Sequence, residues 1–490
     1  MRVLYFHQYF ATRSRATPTR SYELARRLVE RGHEVTIVSR DTRALELDRE
    51  AQPSGGLAAR ETVDGIDVVY LHMPYSQFMS TPTRLASFAG FTMAATLAGL
   101  ALPRPDVVFA TSTPLTIGIP GLAVARAKQV PFVFEIRDLW PAVPVALGVL
   151  RDRRLISMAE QLELLLYREA DRVVVLSEGS KSSLIRRGVP EDKLVFIPNA
   201  SDLDLFRPDA VDDSFRADLG LKGRFVALYT GAMGRANGLA QLVDAAAILQ
   251  RCRDERVAFV CVGDGTERAR ERERADRRGL RNVTFLEPVA KHELAGMLGA
   301  ADVTLTLFAP APVLQTNSPN KFFDSLAAGR PAVVNLDGWL RRLVEEDGAG
   351  AYVPAGNGEA LATTLSALSR EPQVVARMGR NARALAEREF DRDAMAERLA
   401  ETLERAAGRR RAGHSPRSSA DRSPPPRIGT PDPRDGATGE SAAEKAPRPA
   451  VVLGALQAGL AIIRSLGGHP PIAWRVFSEH AERGSSRRLT

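Results

Sequence analysis

Short apolar runs and amphipathic stretches alternate along most of the chain. In the first part, the apolar runs have the length and β-branched content of buried strands, and the stretch 21–31, which Gly32 closes, has helical spacing. Such an alternation with short turns predicts a parallel, doubly wound sheet. The predicted strands are residues 3–6, 35–39, 68–72, 107–110, 132–136 and 173–176.

A second series of the same kind begins at residue 225. The segment 197–202 between the two series carries Pro198 and Asn199, which break regular structure, so we predict a hinge there. The fold class is therefore α/β, with two tandem Rossmann-like domains (1–200 and 201–385) around a cleft and a C-terminal helix over 386–408. The strands predicted for the second domain are residues 225–229, 258–262, 283–285, 303–307 and 332–335.

The composition changes after residue 408. Pro, Ser, Arg and Gly dominate residues 409–449, which predicts a disordered linker. Residues 450–490 are predicted to form a short apolar helix, too short to span a bilayer, and a basic end. Of the formal net charge of +8, residues 409–490 supply +7, so the body of the chain has no charge bias towards nucleic acid.

The segment 85–103 contains no charged residue. Its length is sufficient for a membrane span, but the β-α-β pattern requires a helix here, so we predict a domain helix that is partly exposed to a membrane surface. Because the first strand begins at once, without a signal peptide, we expect a cytoplasmic protein. Cys252 and Cys261 show no metal or redox spacing and are predicted to be core residues.

The segment 317–331 lies between two predicted strands. A helix that begins at the carboxyl end of a parallel strand points free N–H groups at a bound phosphate. Lys321 adds a positive charge for that phosphate, and Asp324, on the same helical face, accepts hydrogen bonds from ribose hydroxyls. With Ser318 and Asn320 at the helix start, the segment predicts a sugar-nucleotide site. The alternative is a surface ion pair between Lys321 and Asp324.

A glycine-rich loop follows the predicted strand 225–229. Gly231, Gly234 and Gly238 allow backbone N–H groups to approach a phosphate closely. Arg235 and Asn237 lie between these glycines, and we predict that all five residues bind the donor.

Several segments together resemble family 4 glycosyltransferases of the GT-B fold. The resemblance is to bacterial enzymes that build O-antigen, capsule or exopolysaccharide, such as the fucosamine-transferase type, and it covers residues 1–405. Its motifs are LVERGHEVTIVS (28–39), FEIRDLWP (134–141), FIPNASD (196–202), YTGAMGRANGL (229–239), VGDG (262–265), NVTFL (282–286) and the segment 317–331.

The resemblance implies a retaining transfer of a sugar from a nucleotide sugar, UDP-linked, to a lipid-linked saccharide at the cytoplasmic membrane surface. No cofactor and no metal are expected: the D-x-D pattern occurs at Asp202 and Asp391, but neither follows the right strand. Nucleic acid is not an expected partner. Arg13, Arg15 and Arg20 are expected to contact the pyrophosphate of the acceptor.

Three candidates for catalysis lie in the first domain. Relatives carry a His-Asp pair where this chain has Arg137 and Asp138. Asp138 is predicted to orient or deprotonate an acceptor hydroxyl, and the alternative is that it caps the following turn. His7 ends the first strand and is predicted to face the cleft, because ligands gather at the carboxyl ends of parallel strands.

The chain also departs from the family pattern in the donor site. Of two Glu that relatives carry in this region, the second corresponds to Asp324 and the first to Thr316. Two basic residues of the glycine loop of relatives are replaced by Ala232 and Asn237. Two other functions therefore stay open: a nucleotide-sugar 2-epimerase of the same architecture, and a non-catalytic nucleotide-sugar-binding protein.

Overall fold

A computed structural model of the protein describes residues 1–14, 19–41, 57–73 and 81–411. The elements of its first half are β1 Arg2–Phe6, α1 Arg20–Glu30, β2 Glu34–Arg40, β3 Ala58–Val63, β4 Ile66–Leu71, α2 Thr81–Ala101, β5 Val107–Thr111, α3 Gly118–Lys128, β6 Phe132–Ile136, α4 Ala142–Ala146, α5 Arg153–Glu169, β7 Arg172–Val175, α6 Glu178–Arg186 and β8 Leu194–Phe196. They form an eight-stranded sheet in the order β3-β4-β2-β1-β5-β6-β7-β8. Only the pair β3–β4 is antiparallel.

The second half repeats this architecture. Its elements are α7 Phe215–Asp218, β9 Phe225–Thr230, α8 Leu239–Arg251, β10 Val257–Val262, α9 Arg268–Arg277, β11 Val283–Leu286, α10 Lys291–Ala300, β12 Val303–Thr306, α11 Asn320–Ala327, β13 Ala332–Val334, α12 Trp339–Glu346, β14 Gly350–Tyr352, α13 Gly358–Leu368, α14 Pro372–Glu389 and α15 Arg392–Arg411. The six-stranded sheet has the order β11-β10-β9-β12-β13-β14 and is parallel throughout.

The predicted α/β class with two parallel sheets is confirmed, and every predicted strand is present. Strands β5, β9 and β10 are buried along their whole length, as expected where helices cover both faces of a parallel sheet. Three strands were not predicted. Strand β3 is a largely exposed edge strand that pairs with β4 through the turn at Asp64 and Gly65, and β8 and β14 are too short to show a periodicity.

The uncharged segment forms helix α2, and its second half belongs to the core of the first domain. Phe91, Ala95 and Ala98 are fully buried there. At Gly99 a Cβ atom would lie 2.6 Å from the ring of Phe6, so this helix packs too closely on the sheet for a side chain at that position. Within the described residues, no helix is both long and apolar enough to cross a membrane.

Two predictions about local structure differ from the observed fold. Cys261 is buried in β10, but Cys252 is exposed, because it caps the end of α8. The predicted helix 386–408 consists of the end of α14 and of α15, which are separated at buried Phe390. The predicted disordered linker and the apolar segment after it lie outside the described residues, apart from the last turn of α15.

Helix α15 returns to the first domain. Its residue Asp393 pairs with Arg27 of α1, so the C-terminal helix connects the second domain back to the first. Ahead of it, the backbone of Ser201 bonds to that of Phe390 and of Arg392 at 3.0 and 3.2 Å. Two chain segments therefore cross side by side between the domains.

The predicted hinge 197–202 is the first of these crossings, and it is fastened by buried charges. Arg20 is 1% exposed and donates to the carbonyl oxygens of Ile197 and Pro198 at 2.9 and 2.7 Å, while its guanidinium pairs with Glu135 at 2.8 Å. Asp202 pairs with Arg27 at 3.0 Å and with Arg392 at 3.3 Å. These contacts fix the path of the connection between the two sheets.

We predict that Arg20→Met lowers the free energy of unfolding by about 3 kcal/mol or more, because it leaves the Glu135 carboxylate buried without its main partner. Lys181→Met is the matched control, since Lys181 pairs with Glu191 at the surface and should change stability by less than about 1 kcal/mol. Urea unfolding of both variants measures the difference. Equal effects would contradict a structural role of Arg20.

Candidate active site

The donor half of the site is built at the carboxyl ends of β9 and β10. The glycine loop after β9 packs backbone to backbone on the loop after β10: the N–H of Gly231 donates to Val262 at 2.8 Å, and the N–H of Met233 donates to Asp264 at 2.8 Å. A Cβ at Gly263 would lie 2.0 Å from the carbonyl oxygen of Gly231, and one at Gly265 would lie 2.5 Å from Met233. Both glycines also have positive φ, so the two loops approach only because side chains are absent.

Within the glycine loop, the predicted donor residues take different places. Asn237 accepts a hydrogen bond from the N–H of Gly234 at 3.2 Å and thereby braces the loop. A Cβ at Gly238 would lie 2.5 Å from the carbonyl oxygen of Phe308, so this glycine permits close packing. Arg235 is exposed and has no ion pair within the described residues. Of this group, Arg235 is the residue with a charge available for a ligand.

Lys321, in the first turn of α11, lies directly beside this loop. Its Nζ is 3.8 Å from the centre of the Tyr229 ring, and a Cβ at Gly231 would lie 3.7 Å from its Cε. The amine is buried and has no hydrogen-bond partner within the described residues. Burial lowers the pKa of Lys321 to about 7, and only the nearby thiol of Cys261 opposes the shift. A buried amine without an acceptor has the chemistry of an anion site.

Asp324 does not pair with Lys321. The residue is 3% exposed, one carboxylate oxygen accepts from the Ser201 hydroxyl at 2.9 Å, and the other pairs with Lys291 at 2.8 Å. The alternative of a surface ion pair between Lys321 and Asp324 is therefore wrong. Ribose binding by Asp324 stays a prediction, and a ribose would have to share this carboxylate with Ser201 and Lys291.

The start of α11 is tied to the connection between the domains. Asn199 donates to the carbonyl oxygen of Ser318, and the Ser318 hydroxyl accepts from the N–H of Asn199 at 3.4 Å. Ser318 is thus a junction residue as well as a predicted donor ligand. Asn320 is partly buried at the first position of α11, where the helix N–H groups point away from the sheet.

The other half of the site gathers at the carboxyl ends of β1, β5 and β6. Glu135 is fully buried, and burial alone would raise the pKa of its carboxyl. The positive charges of Arg20 and Arg137 have the larger effect together and keep this pKa below its usual value. The Nε of Arg137 donates to the Thr111 hydroxyl at 3.0 Å, and one terminal nitrogen of Arg137 is buried without a partner in the described part of the chain.

His7 and Asp138 lie next to this arginine. His7 is 2% exposed, and its Nδ1 is 2.6 Å from the Ser21 hydroxyl. Burial, followed by the charge of Arg137, holds the pKa of His7 well below its usual value. The ring is therefore neutral. Asp138 is partly exposed, and burial raises the pKa of its carboxyl although Arg137 opposes the shift. A carboxylate with a raised pKa is suited to accept a proton.

The expected acceptor arginines are already engaged. Arg20 is buried at the junction, and Arg13 pairs with Glu23 at 2.6 Å and with Asp202 at 3.5 Å. For Arg20 the expectation is wrong, because its charge is neutralised inside the protein. Arg15 lies outside the described residues.

The two halves face each other across the cleft. The Ser177 hydroxyl, at the start of α6, donates to the carbonyl oxygen of Thr316, and a Cβ at Gly179 would lie 3.1 Å from the Thr316 side chain. The position where relatives carry their first acid is therefore a domain contact here. Helix α4 also packs against residues 312–316.

Sequence reasoning missed the residues that surround Lys321 and Asp324. Tyr229 lies 92 residues before Lys321 in the chain, and the pairing of β9 with β12 brings the two into contact. Lys291 lies 33 residues before Asp324, and the position of α10 brings these two into contact. A usable signal was the position of Tyr229 at the end of a strand just before the glycine loop. Glu135 is likewise visible in the sequence only as a charged residue inside an apolar strand.

Two family models match consecutive parts of the chain. The model of the glycosyl transferase 4-like domain matches residues 16–200, and that of the glycosyl transferases group 1 matches residues 211–385. The chain is a family 4 glycosyltransferase of the GT-B fold. The predicted family and enzyme class are therefore confirmed.

Two relatives of this glycosyltransferase are similar to it over most of their length. The putative colanic acid biosynthesis glycosyl transferase WcaI of Escherichia coli is 26% identical over 386 residues, which are 76% of this chain and 92% of that protein. The GDP-mannose-dependent alpha-mannosyltransferase of Mycobacterium tuberculosis is 26% identical, over 67% of this chain and 77% of that protein.

Solved structures share the fold at lower identity. Sucrose-phosphate synthase from Thermosynechococcus elongatus superposes with a TM-score of 0.65 at 18% identity, over 83% of this chain and 99% of that chain. HepE from Anabaena, solved in complex with UDP-glucose, gives 0.59 at 19% identity, over 83% of this chain and 100% of that chain.

We predict that Lys321→Met stabilises the unliganded glycosyltransferase by about 1–3 kcal/mol at pH 6.5, because it removes a buried amine that must otherwise carry a proton without an acceptor. The folded-state pKa of about 7 lies below the unfolded value of 10.5. The penalty is therefore full below pH 7 and fades between pH 7 and about 10.5.

Urea unfolding at pH 6.5 and at about pH 10 measures this pH dependence. Exposed Lys222 provides the control, since Lys222→Met should change stability equally at both values. A stability gain for Lys321→Met that does not shrink at high pH would contradict the desolvated amine.

Proposed function

We propose that this glycosyltransferase moves a sugar from a nucleotide sugar to a lipid-linked saccharide during bacterial surface polysaccharide synthesis, with retention of configuration. The observation that carries the donor assignment is the amine of Lys321 beside the glycine loop, which has no hydrogen-bond partner among the residues that the structure describes. A donor diphosphate would supply the missing acceptor, and the N–H groups at the start of α11 would add to its stabilisation.

Its relatives support the donor class and leave the base open. HepE binds UDP and UDP-glucose, and the mycobacterial relative is GDP-mannose-dependent. The family resemblance favours UDP as the nucleotide, and GDP is the alternative to test against it. No metal enters the proposal, since Lys321 and helix N–H groups would carry the charge of the leaving diphosphate.

The acceptor half rests on different observations. The relative in colanic acid biosynthesis points to a growing polysaccharide as the acceptor. Asp138, with its raised pKa and no hydrogen-bond partner within the described residues, is the proposed group that orients or deprotonates the acceptor hydroxyl. The unpartnered terminal nitrogen of Arg137 gives the same region a donor for an acceptor oxygen or phosphate. Since His7 is buried, neutral and bonded to Ser21, we assign it the positioning of neighbouring groups.

The epimerase and the non-catalytic alternatives are tested by one experiment. The protein is incubated with UDP- and GDP-sugars and bacterial lipid extract, and nucleotide release, sugar transfer and the sugar left in the donor are measured. Release with transfer supports the glycosyltransferase proposal. An epimerised product without transfer, or binding alone, would replace it.

We predict that Lys321→Ala weakens nucleotide binding about 10- to 100-fold, since a charge-assisted hydrogen bond contributes about 1.5–3 kcal/mol. Isothermal titration calorimetry with UDP and GDP measures the affinity. Lys222→Ala, which removes an exposed lysine of the same domain, should bind as the wild type does. Unchanged affinity in Lys321→Ala would remove this lysine from the donor site.

We predict that Asp138→Asn slows sugar transfer about 10²- to 10⁴-fold, the range of general base catalysis, while nucleotide affinity stays unchanged. The two readouts separate catalysis from donor binding. The alternative that Asp138 caps the turn after β6 is wrong, since the following helix has Pro141 at its N-cap and no side-chain cap. An unchanged transfer rate in Asp138→Asn would therefore contradict a role of this carboxylate in catalysis.

A further inference from the structure

Large apolar side chains are exposed at one corner of the first domain, where α4 leads into α5. Met158 is 65% exposed, more than any other large hydrophobic residue described, and Val149 and Val145 are 46% and 37% exposed. Single exposed apolar residues are ordinary, but three between residues 145 and 158 mark this stretch as a candidate contact surface.

The local fold holds these side chains at the same end of the domain. The N–H groups of Val149 and Leu150 both donate to the carbonyl oxygen of Pro144, at 2.8 and 3.0 Å, so the loop folds back on α4. The Asp152 carboxylate then caps α5, accepting from the N–H groups of its first turn at 2.9 and 3.0 Å. Met158 follows five residues into α5, about 7.5 Å along the helix axis.

Basic side chains border the patch. Arg151, Arg153 and Arg154 are exposed, and no carboxylate pairs with any of them in the described part of the chain. The Nε of Arg151 donates only to a backbone carbonyl at 3.0 Å. Arg154 lies one helical turn from Met158, whereas Glu160 lies about 200° away from Met158 around the axis. The corner is therefore apolar with a positive rim.

We propose that this surface docks on an anionic lipid bilayer. The docking corner is defined by Val145, Val149, Arg151, Arg153, Arg154 and Met158. Its apolar side chains would enter the boundary between headgroups and acyl chains, and its arginines would pair with headgroup phosphates. An acidic protein partner is the other outcome of the test below, and it would leave the surface without a response to vesicles.

The position of the docking corner fits the proposed function. Only the purpose of docking rests on that function, and the docking itself does not. Helix α4 packs against residues 312–316, which lead into the donor segment of the second domain. A bilayer at the corner would therefore lie beside the cleft. A lipid-linked acceptor would reach Asp138 without leaving the membrane completely.

A probe at position 158 tests the docking directly in the full chain. In a Cys252→Ser background, Met158→Cys is labelled with an environment-sensitive fluorophore, since Cys261 is buried. Vesicles of phosphatidylglycerol and phosphatidylcholine should shift its emission to the blue. The same label at Val211→Cys, an apolar position of the second domain that is 44% exposed, should not respond.

Charge and insertion are separated by a second variant. Replacing Arg151, Arg153 and Arg154 by Gln should weaken the response at position 158 about 100-fold, at roughly fivefold for each arginine. The proposal would be overturned if the label at position 158 showed no emission shift, or if the label at position 211 shifted equally. An equal shift with vesicles of phosphatidylcholine alone would also overturn it. These outcomes count even if the chain still binds vesicles through its basic C-terminal residues. Docking without sugar transfer would instead keep this surface and contradict the proposed function.

Discussion

The arrangement of the two sheets depends on buried arginines at the point where the chain crosses between them. Arg20 satisfies two carbonyl oxygens of the connection and neutralises Glu135, the buried carboxylate of the acceptor half of the cleft. Asp202 holds the crossing from the other side through Arg27 and Arg392. Because each of these charges is buried, separating any of them from its partner would cost much free energy. Domain position and site electrostatics are therefore coupled through the same ion pairs.

In the donor half, by contrast, the charge of a buried lysine is not compensated by any described residue. Lys321 lies over the Tyr229 ring beside a glycine loop, and its amine has no acceptor in the described part of the chain. Holding a lysine in this way costs stability, and a ligand diphosphate would recover that cost on binding. The neighbouring Asp324 is already satisfied by Lys291 and Ser201. The two residues that define the helix motif thus have different electrostatic roles.

The fold was predictable from the sequence because parallel strands that are buried on both faces give long apolar runs, such as β9 and β10. The exposed edge strand β3 was not predicted, because its charged residues interrupt the apolar run. For the site, motifs placed Lys321 in the helix after β12 and Asp138 just after β6, where the structure has them. They did not show that Arg20 is buried or that Lys291 pairs with Asp324, because such long-range partners are set by tertiary packing and leave no local spacing.

Replacement of the family's first acid by Thr316 follows from the same geometry. The carbonyl oxygen of Thr316 accepts from Ser177 at the start of α6, and its side chain packs on Gly179. A glutamate here would bring a charge into a contact between the domains, next to α4. The position of the family's first acid is thus a contact between the two domains in this chain. The loss of this acid takes no positive charge from the donor half, where the cations are Arg235 of the glycine loop and Lys321 beside it.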